Sequence, residues 1–334
     1  MSDYKKINDI ISSSKNIVVL QADNPDGDSL GSSLALEAIL SEMGKTVHMV
    51  CAIDIPSYLR YLQGWDRVQK EIPQNFDATI IVDNSSESLF ENFEAQSSFA
   101  WIKSKPVIVI DHHMQSGGIS FADVNVIEEA VATSEIIYKI AVDQGWPIPL
   151  DAGEMMAVSI MSDSVGLVSD STSPASIRVI ADLVELGVSL AKLDANRRKL
   201  MLRDPILLPF KGDLLKRVEL SADGRLGSVV VTWDEIAKYS PLYNPTMLAI
   251  DDIRMTAGVD VAIGYKLYKD GKITAKIRTN YGKTIASDLA SHFGGGGHKY
   301  AAGFKITNGT KMEYLKKQVE QKTTELLDAL GDDE

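Results

Sequence analysis

Four short apolar runs constrain the fold of this chain more than any other feature: "NIVVLQA" (16–22), "TVHMVC" (46–51), "ATIIVDN" (78–84) and "PVIVIDHH" (106–113). Continuous β-branched residues leave a strand no polar face, so these strands are expected to be buried on both sides, in a largely parallel sheet with helices on each face. Helical patterns at 29–43, 132–144, 151–162 and 174–187 supply the helices. Gly44 stops the first of them, and Pro174 stands where a first helical turn tolerates proline. The expected class is α/β, with a mainly parallel N-terminal sheet.

A chain of 334 residues exceeds what one core usually organises. The basic, proline-interrupted stretch "ANRRKLMLRDPILLPFKGDLLK" (195–216) is where the pattern changes. Beyond it come strands with short turns, including "GYKLYKDGKITAKIRT" (264–279), a hairpin centred on Asp270-Gly271, and a closing helix at 310–330. The expected division is a domain at 1–195, a linker at 196–216 and a smaller α+β domain at 217–334.

The net charge of −12 is unevenly spread. Residues 1–194 hold 12 Lys/Arg against 28 Asp/Glu, and residues 195–334 hold 22 against 18, so the halves carry −16 and +4. An acidic half is either a solvated surface or the home of a carboxylate cluster that needs divalent metal. The single cysteine, Cys51, excludes a disulfide framework. No apolar run approaches a membrane span, and the N-terminus lacks a signal-peptide core, so a soluble cytoplasmic protein is expected.

The acids fall at informative places. Asp26 and Asp28 follow the first run, Asp83 ends the third, and Asp111-His112-His113 ends the fourth. In an open parallel sheet the loops at the carboxyl ends of the strands meet in one crevice, so these residues are expected to converge. Asp163 closes a helical pattern ahead of a Ser/Gly-rich loop. Each Asp taken singly also fits a helix cap or a turn, Asp28 before Ser29 above all. Two histidines directly after a buried strand are different, because burying unpartnered imidazoles costs free energy. Carboxylates joined by one or two imidazoles favour Mn or Mg. His48, alone inside a strand, reads as structural.

With these residues in view, the chain resembles the DHH phosphoesterases, and within them the bacterial oligoribonuclease and phosphoadenosine-phosphate phosphatase group. "NPDGDSLGS", "VDNSS", "VIDHH" and "SDSVGLVSDSTSP" are similar in order and spacing to its catalytic motifs, and "FGGGGHKYAAG" (293–303) to the signature of its C-terminal domain. The resemblance implies two divalent ions, Mn or alternatively Mg. Asp28, Asp83, His112 and Asp163 would hold one, and Asp83 would bridge to a second that Asp26 also holds. His113, Asp83 and Asp111 would be catalytic, with His113 facing the scissile phosphate. Arg278, Gly295, Gly296, Gly297 and His298 would contact substrate.

The implied reaction is hydrolysis of short oligonucleotides, linear dinucleotides or phosphoadenosine phosphate. A catalytically impaired nucleotide sensor and a pyrophosphate or polyphosphate hydrolase are the alternatives. Long duplex nucleic acid and membranes are not expected partners, because the chain lacks a strongly basic groove and an apolar span; a homodimer stays open. Two departures stand out: Ala22 occupies the place of a usual metal-ligand histidine, and Val168 that of a usual basic residue.

Overall fold

The computed structural model describes residues 3–94, 99–114 and 117–330, in two compact units, Met1–Leu202 and Arg203–Glu334. The first unit runs α1 (Asp3–Ser13), β1 (Asn16–Leu20), α2 (Gly27–Glu42), β2 (Thr46–Val50), β3 (Ala78–Val82), α3 (Glu91–Glu94), α4 (Phe99–Ile102), β4 (Val107–Asp111), β5 (Val124–Ile127), α5 (Thr133–Gln144), α6 (Leu150–Asp163), α7 (Pro174–Glu185) and α8 (Leu190–Leu200). Its five strands are all parallel, in the order β2-β1-β3-β4-β5. The expected α/β architecture is present. β5, whose four residues alternate in burial, is a strand the apolar-run criterion does not detect, because it forms one edge of the sheet.

Alternation along the strands sorts two cores. Ile17, Val19, Ile80, Val82, Ile108 and Ile110 pack with apolar residues of α1, α2, α5 and α6. Val18, Leu20, Ile81, Val107 and Val109 face the other way, onto Phe90, Phe93, Phe99 and Ile102. That second face is covered by one-turn helices and loops around the three phenylalanines rather than by long helices.

Chain connectivity reverses between β1 and β3: β2 lies beyond β1 and β4 beyond β3. The loops leaving β1 and β3 therefore part at this point and open a crevice at the carboxyl edge. The register is level there, with Leu20 opposite Ile81 and Val82 opposite Ile110.

α2 approaches α6 closely enough that glycine is required at the contact. A Cβ on Gly31 would lie 2.9 Å from both the Met155 carbonyl and the Ser159 Cβ, and one on Gly27 would meet Ser162. This contact fixes the height of Asp28 on α2 relative to Asp163 at the end of α6.

The second unit comprises α9 (Leu207–Lys216), β6 (Glu219–Ser221), β7 (Leu226–Val231), α10 (Trp233–Tyr239), α11 (Ile250–Arg254), β8 (Val261–Leu267), β9 (Ile273–Thr279), α12 (Ala286–His292), β10 (Gly296–His298), β11 (Ala301–Ile306) and α13 (Met312–Leu330). Its six-stranded sheet is ordered β10-β11-β9-β8-β7-β6 and is antiparallel except for the β7–β8 pair. α12 and α13 cover one face and α9, α10 and α11 the other. The hairpin between β8 and β9 turns at Tyr268–Lys272, with Gly271 at φ 81°.

The two units divide between Leu202 and Arg203, and most of the stretch 196–216 is helical rather than an extended joining segment. α8 ends just before the division, and α9 just after it buries Leu207, Phe210 and Leu214 in the second unit. Among the described residues no helix is long and apolar enough to cross a membrane.

Gly31→Val should destabilise the fold by about 1–3 kcal/mol, because the overpacking at a backbone carbonyl exceeds the modest gain in helix propensity. Chemical denaturation measures this, and a metal titration of the same variant should show weakened binding as Asp28 is displaced. Unchanged stability and metal affinity would mean the α2–α6 contact is slack.

Candidate metal centre

The loop after β1 turns into α2 through Asp26. Its carboxylate accepts from the backbone N–H groups of Asp28 and Ser29, each at 3.0 Å, while the Ser29 hydroxyl accepts from the Asp26 N–H at 2.9 Å. Asp26 is therefore the cap. Asp28, the residue weighed for that task, is instead fully buried one residue inside the helix. Its Oδ2 accepts from the Thr133 N–H at 2.7 Å, and its Oδ1 from the Ser32 hydroxyl at 2.9 Å and from the Ser159 hydroxyl.

Asp83 directly follows β3 and adopts φ 57°, a left-handed conformation that costs most residues and that Asp tolerates better than others. The Thr133 hydroxyl donates to it at 3.3 Å. Next along, Asp111 is fully buried and ties down the residue two places on: its Oδ1 accepts from His113 Nδ1 at 2.8 Å and from the His113 N–H at 3.2 Å. The Ser85 hydroxyl donates to the other oxygen.

His112 is the centre of the arrangement. Its Nδ1 lies 3.2 Å from the Ala130 carbonyl, so with the proton there Nε2 is left with a lone pair. That Nε2 is buried without a hydrogen-bond partner, 3.5 Å from both Asp83 and Asp163 and 3.6 Å from Asp28. Three carboxylates around one orphaned imidazole nitrogen form a donor set for a divalent cation and for little else. Two groupings of ligand atoms have the spacing a metal needs: Asp28, His112 and Asp163, and Asp83, Asp111, His112 and His113.

The electrostatics agree with this reading. Burial first, then the neighbouring charges of Asp28 and Asp26, push the Asp163 carboxyl up to about 7. The same two causes raise Asp83 well above the ordinary carboxylate range. Burial also opposes ionisation of Asp111, yet the hydrogen bonds from His113 and Ser85 outweigh it and hold that carboxyl below the usual value. Its partner His113 is raised, chiefly by the same hydrogen bond.

A cavity of about 150 Å³ opens beside this centre, lined by Ala22, Asn24, Asp26, Ser29, Asp83, Asn84, Ser86, Asp111 and His113. Ala22, two residues past the end of β1, lines this cavity. Gln21 and Asp23 are not among the lining residues. Val168, in place of a usual basic residue, is 79% exposed in a loop where Val165 and Leu167 adopt φ 52° and 70°.

The remaining predicted residues lie in the second unit, where Arg278 on β9 pairs with Ala301 on β11, which pairs with His298 on β10. Paired residues point to one side of the sheet, so Arg278 and His298 share a face. The glycines before His298 have a local explanation. A Cβ on Gly295 would lie 2.2 Å from the Gly303 carbonyl, and one on Gly297 would lie 2.6 Å from the Ala301 carbonyl, so both are dictated by close packing on β11. Only Gly296 of the three faces open space.

Sequence reasoning missed the supports: Thr133, Ser32 and Ser159 on Asp28, Ser85 on Asp111, and the Ala130 carbonyl on His112. One signal was available. Ser32 stands four residues after Asp28, on the same helix face.

A parallel α/β sheet carrying clustered carboxylates and a DHH run at its strand ends, joined to a mixed-sheet second unit, defines a metal-dependent phosphoesterase. Comparison with known proteins specifies it further: residues 16–160 match the DHH family N-terminal domain and residues 236–325 the DHHA1 domain. The chain belongs to the DHH family, whose members work with divalent metal.

The bifunctional oligoribonuclease and PAP phosphatase NrnA of Thermus thermophilus is 28% identical over 289 residues, covering 84% of this chain and 81% of that protein. A "Probable manganese-dependent inorganic pyrophosphatase" of Streptococcus agalactiae is 27% identical over 181 residues, 52% of this chain and 57% of that protein. Among solved structures, an exopolyphosphatase-related protein from Bacteroides fragilis superposes with a TM-score of 0.77 at 20% identity, covering 98% of this chain and 97% of that one.

A pH dependence follows for the metal-free protein. Between the ordinary 3.8 and about 7, folded Asp163 keeps a proton that the unfolded chain has lost. Stability from this source is therefore full below the lower value and disappears as pH rises through the upper one. With divalent ions chelated, the melting temperature should fall from about pH 5 to about pH 8, and saturating Mn at the higher pH should restore it as the cation replaces the proton. A melting temperature independent of pH in the chelated protein would contradict the buried, mutually repelling carboxylates.

Proposed function

We propose that this protein hydrolyses phosphoester bonds in very short nucleotides, namely short oligonucleotides, linear dinucleotides and phosphoadenosine phosphate, releasing mononucleotides with the help of two Mn ions. The observation that carries the reading is the orphaned His112 Nε2 among three carboxylates at the sheet's carboxyl edge. The oligoribonuclease and PAP phosphatase named for the Thermus relative supports the substrate class. The manganese named for the streptococcal relative supports the metal.

Asp28, Asp83, His112 and Asp163 would hold one ion, and Asp83 with Asp26 would hold a second. Divalent ions held there would lower the pKa of a bound water and offset charge on the phosphate. Asp111 fixes the His113 ring through Nδ1, so His113 presents Nε2 to a phosphate oxygen, and its raised pKa favours the proton that makes Nε2 a donor. Arg278, Gly296 and His298 meet the substrate's remaining phosphates or base. The −16 charge of residues 1–194 against +4 in the rest favours a substrate with few phosphates over a long polymer.

Incubation with Mn and a panel of dinucleotides, short oligomers, cyclic dinucleotides, phosphoadenosine phosphate and pyrophosphate tests this directly. Mononucleotide products are expected, and turnover confined to pyrophosphate would reject the nucleotide reading. His112→Ala and Asp83→Asn should each reduce turnover by more than about 100-fold, beyond the loss typical of a group that merely supports a ligand. Near-wild-type turnover at full metal content in either variant would remove that residue from the ligand set.

Ala22 supplies a sharper expectation. With alanine at this lining position, the second ion is left with Asp26, the shared Asp83, water and substrate, so the two sites should fill unequally, with activity rising at Mn concentrations well above those that fill the tighter site. Ala22→His should lower that Mn requirement. Equal and full occupancy of two sites in the substrate-free wild type, measured by anomalous scattering, would refute this account.

A further inference from the structure

At the corner of the second unit that carries Arg278 and His298, Tyr281 and Tyr300 lie with ring planes 15° apart and centroids 6.3 Å apart. Tyr281 is 81% exposed and takes no part in the core of the unit. The backbone beneath both rings is pinned. The Thr279 N–H donates to the Tyr300 carbonyl and the Ala286 N–H to the Lys299 carbonyl, each at 3.1 Å. The Asn280 side-chain amide donates to the carbonyls of Arg254 and Val259, both at 2.8 Å, and so holds the turn that presents Tyr281.

Cations neighbour the pair along the chain, and one of them lies over a ring. Lys299 sits 5.1 Å from the centroid of the Tyr300 ring, Lys283 is two residues beyond Tyr281, and Arg278 is one strand position from the loop. Among the described residues, none of the three forms an ion pair, although seven other ion pairs occur in this unit. Accessible aromatic rings on pinned backbone beside unpaired cations are a combination that captures single-stranded nucleotides, the ring taking the base and the cation the phosphate.

We infer that Tyr281 and Tyr300 form a stacking platform for one nucleobase of the substrate, with Lys283 and Lys299 taking the adjoining phosphate. The inference rests on the nucleotide reading above and narrows it. A substrate must carry a base as well as a phosphoester, and bare pyrophosphate or polyphosphate forfeits this part of the binding.

Steady-state kinetics of the full-length protein with Mn test it, using a linear dinucleotide and two analogues that each lack one base. Tyr281→Ala should raise KM for the intact dinucleotide by about 5- to 150-fold, the range that stacking of one base spans. Its kcat should change little, because the platform touches no reacting atom. Tyr281→Phe, which keeps the ring, should behave as wild type. With one of the two abasic analogues, wild type and Tyr281→Ala should have equal KM, which identifies the stacked base. Wild-type turnover with an unchanged KM in Tyr281→Ala would overturn the platform alone, as would equal damage on all three substrates. Failure of the wild type to cleave any nucleotide would overturn the nucleotide reading and the platform together.

Discussion

The structure of the first unit is organised around a repulsion. Asp28, Asp83 and Asp163 converge on one imidazole nitrogen, and Asp26 adds its charge from the cavity wall. In a site shielded from water such charges cannot all ionise without a cation, which is why burial and mutual proximity raise Asp83 and Asp163 together. Everything that brings them together acts against this cost. Asp83 holds a left-handed backbone, α2 meets α6 through two glycines, and Asp28 accepts hydrogen bonds from three groups on three helices. A fold that maintains this arrangement suits divalent metal, since a bound cation would offset the repulsion among these carboxylates.

The sheet's topology accounts for the location of that contact. Strand order reverses between β1 and β3, so the segments after them, bearing Asp26 and Asp28 at the start of α2 and Asp83 in its loop, part at the crevice, and β4 delivers Asp111, His112 and His113 from the adjacent position. The two histidines serve different ends because their partners differ. His112 gives Nδ1 to a backbone carbonyl and leaves Nε2 without a hydrogen-bond partner, whereas His113 is bound to a buried carboxylate that favours its protonated form. Adjacent identical residues thus receive opposite chemical tasks from the groups facing their Nδ1 atoms.

Much of this was legible in sequence because the signals were local. Four β-branched runs announced a parallel sheet, and acids at their ends announced convergence. What escaped was whatever depends on side-chain direction or on a partner distant in the chain. The choice of Asp26 over Asp28 as cap turns on which carboxylate folds back on the helix, and spacing alone allows either. Thr133 and Ser159 look like ordinary helical polar residues until α5 and α6 bring them against Asp28, 105 and 131 residues away. The short edge strand β5 lacked the continuous apolar run that marked its neighbours. Four glycines in a row suggested backbone held open for a ligand, whereas two of them are needed for β10 to lie against β11.

On the proposed nucleotide reading, the two units supply different chemistries. A site built from carboxylates attracts metal but repels the phosphates of any substrate until the ions are bound, so affinity for the remainder of the substrate must come from elsewhere. The second unit differs in character: a net charge of the opposite sign over residues 195–334, and an exposed Tyr281 stacked near Tyr300 on pinned backbone. Separating the two chemistries in sequence also lets them vary independently. The metal ligands are fixed by coordination geometry, whereas the aromatic and basic corner can be altered residue by residue without disturbing a buried charge. Differences in substrate between chains that share this catalytic centre should therefore arise in the second unit, and Tyr281, exposed and free of core contacts, is the position where this chain's own preference is most open to change.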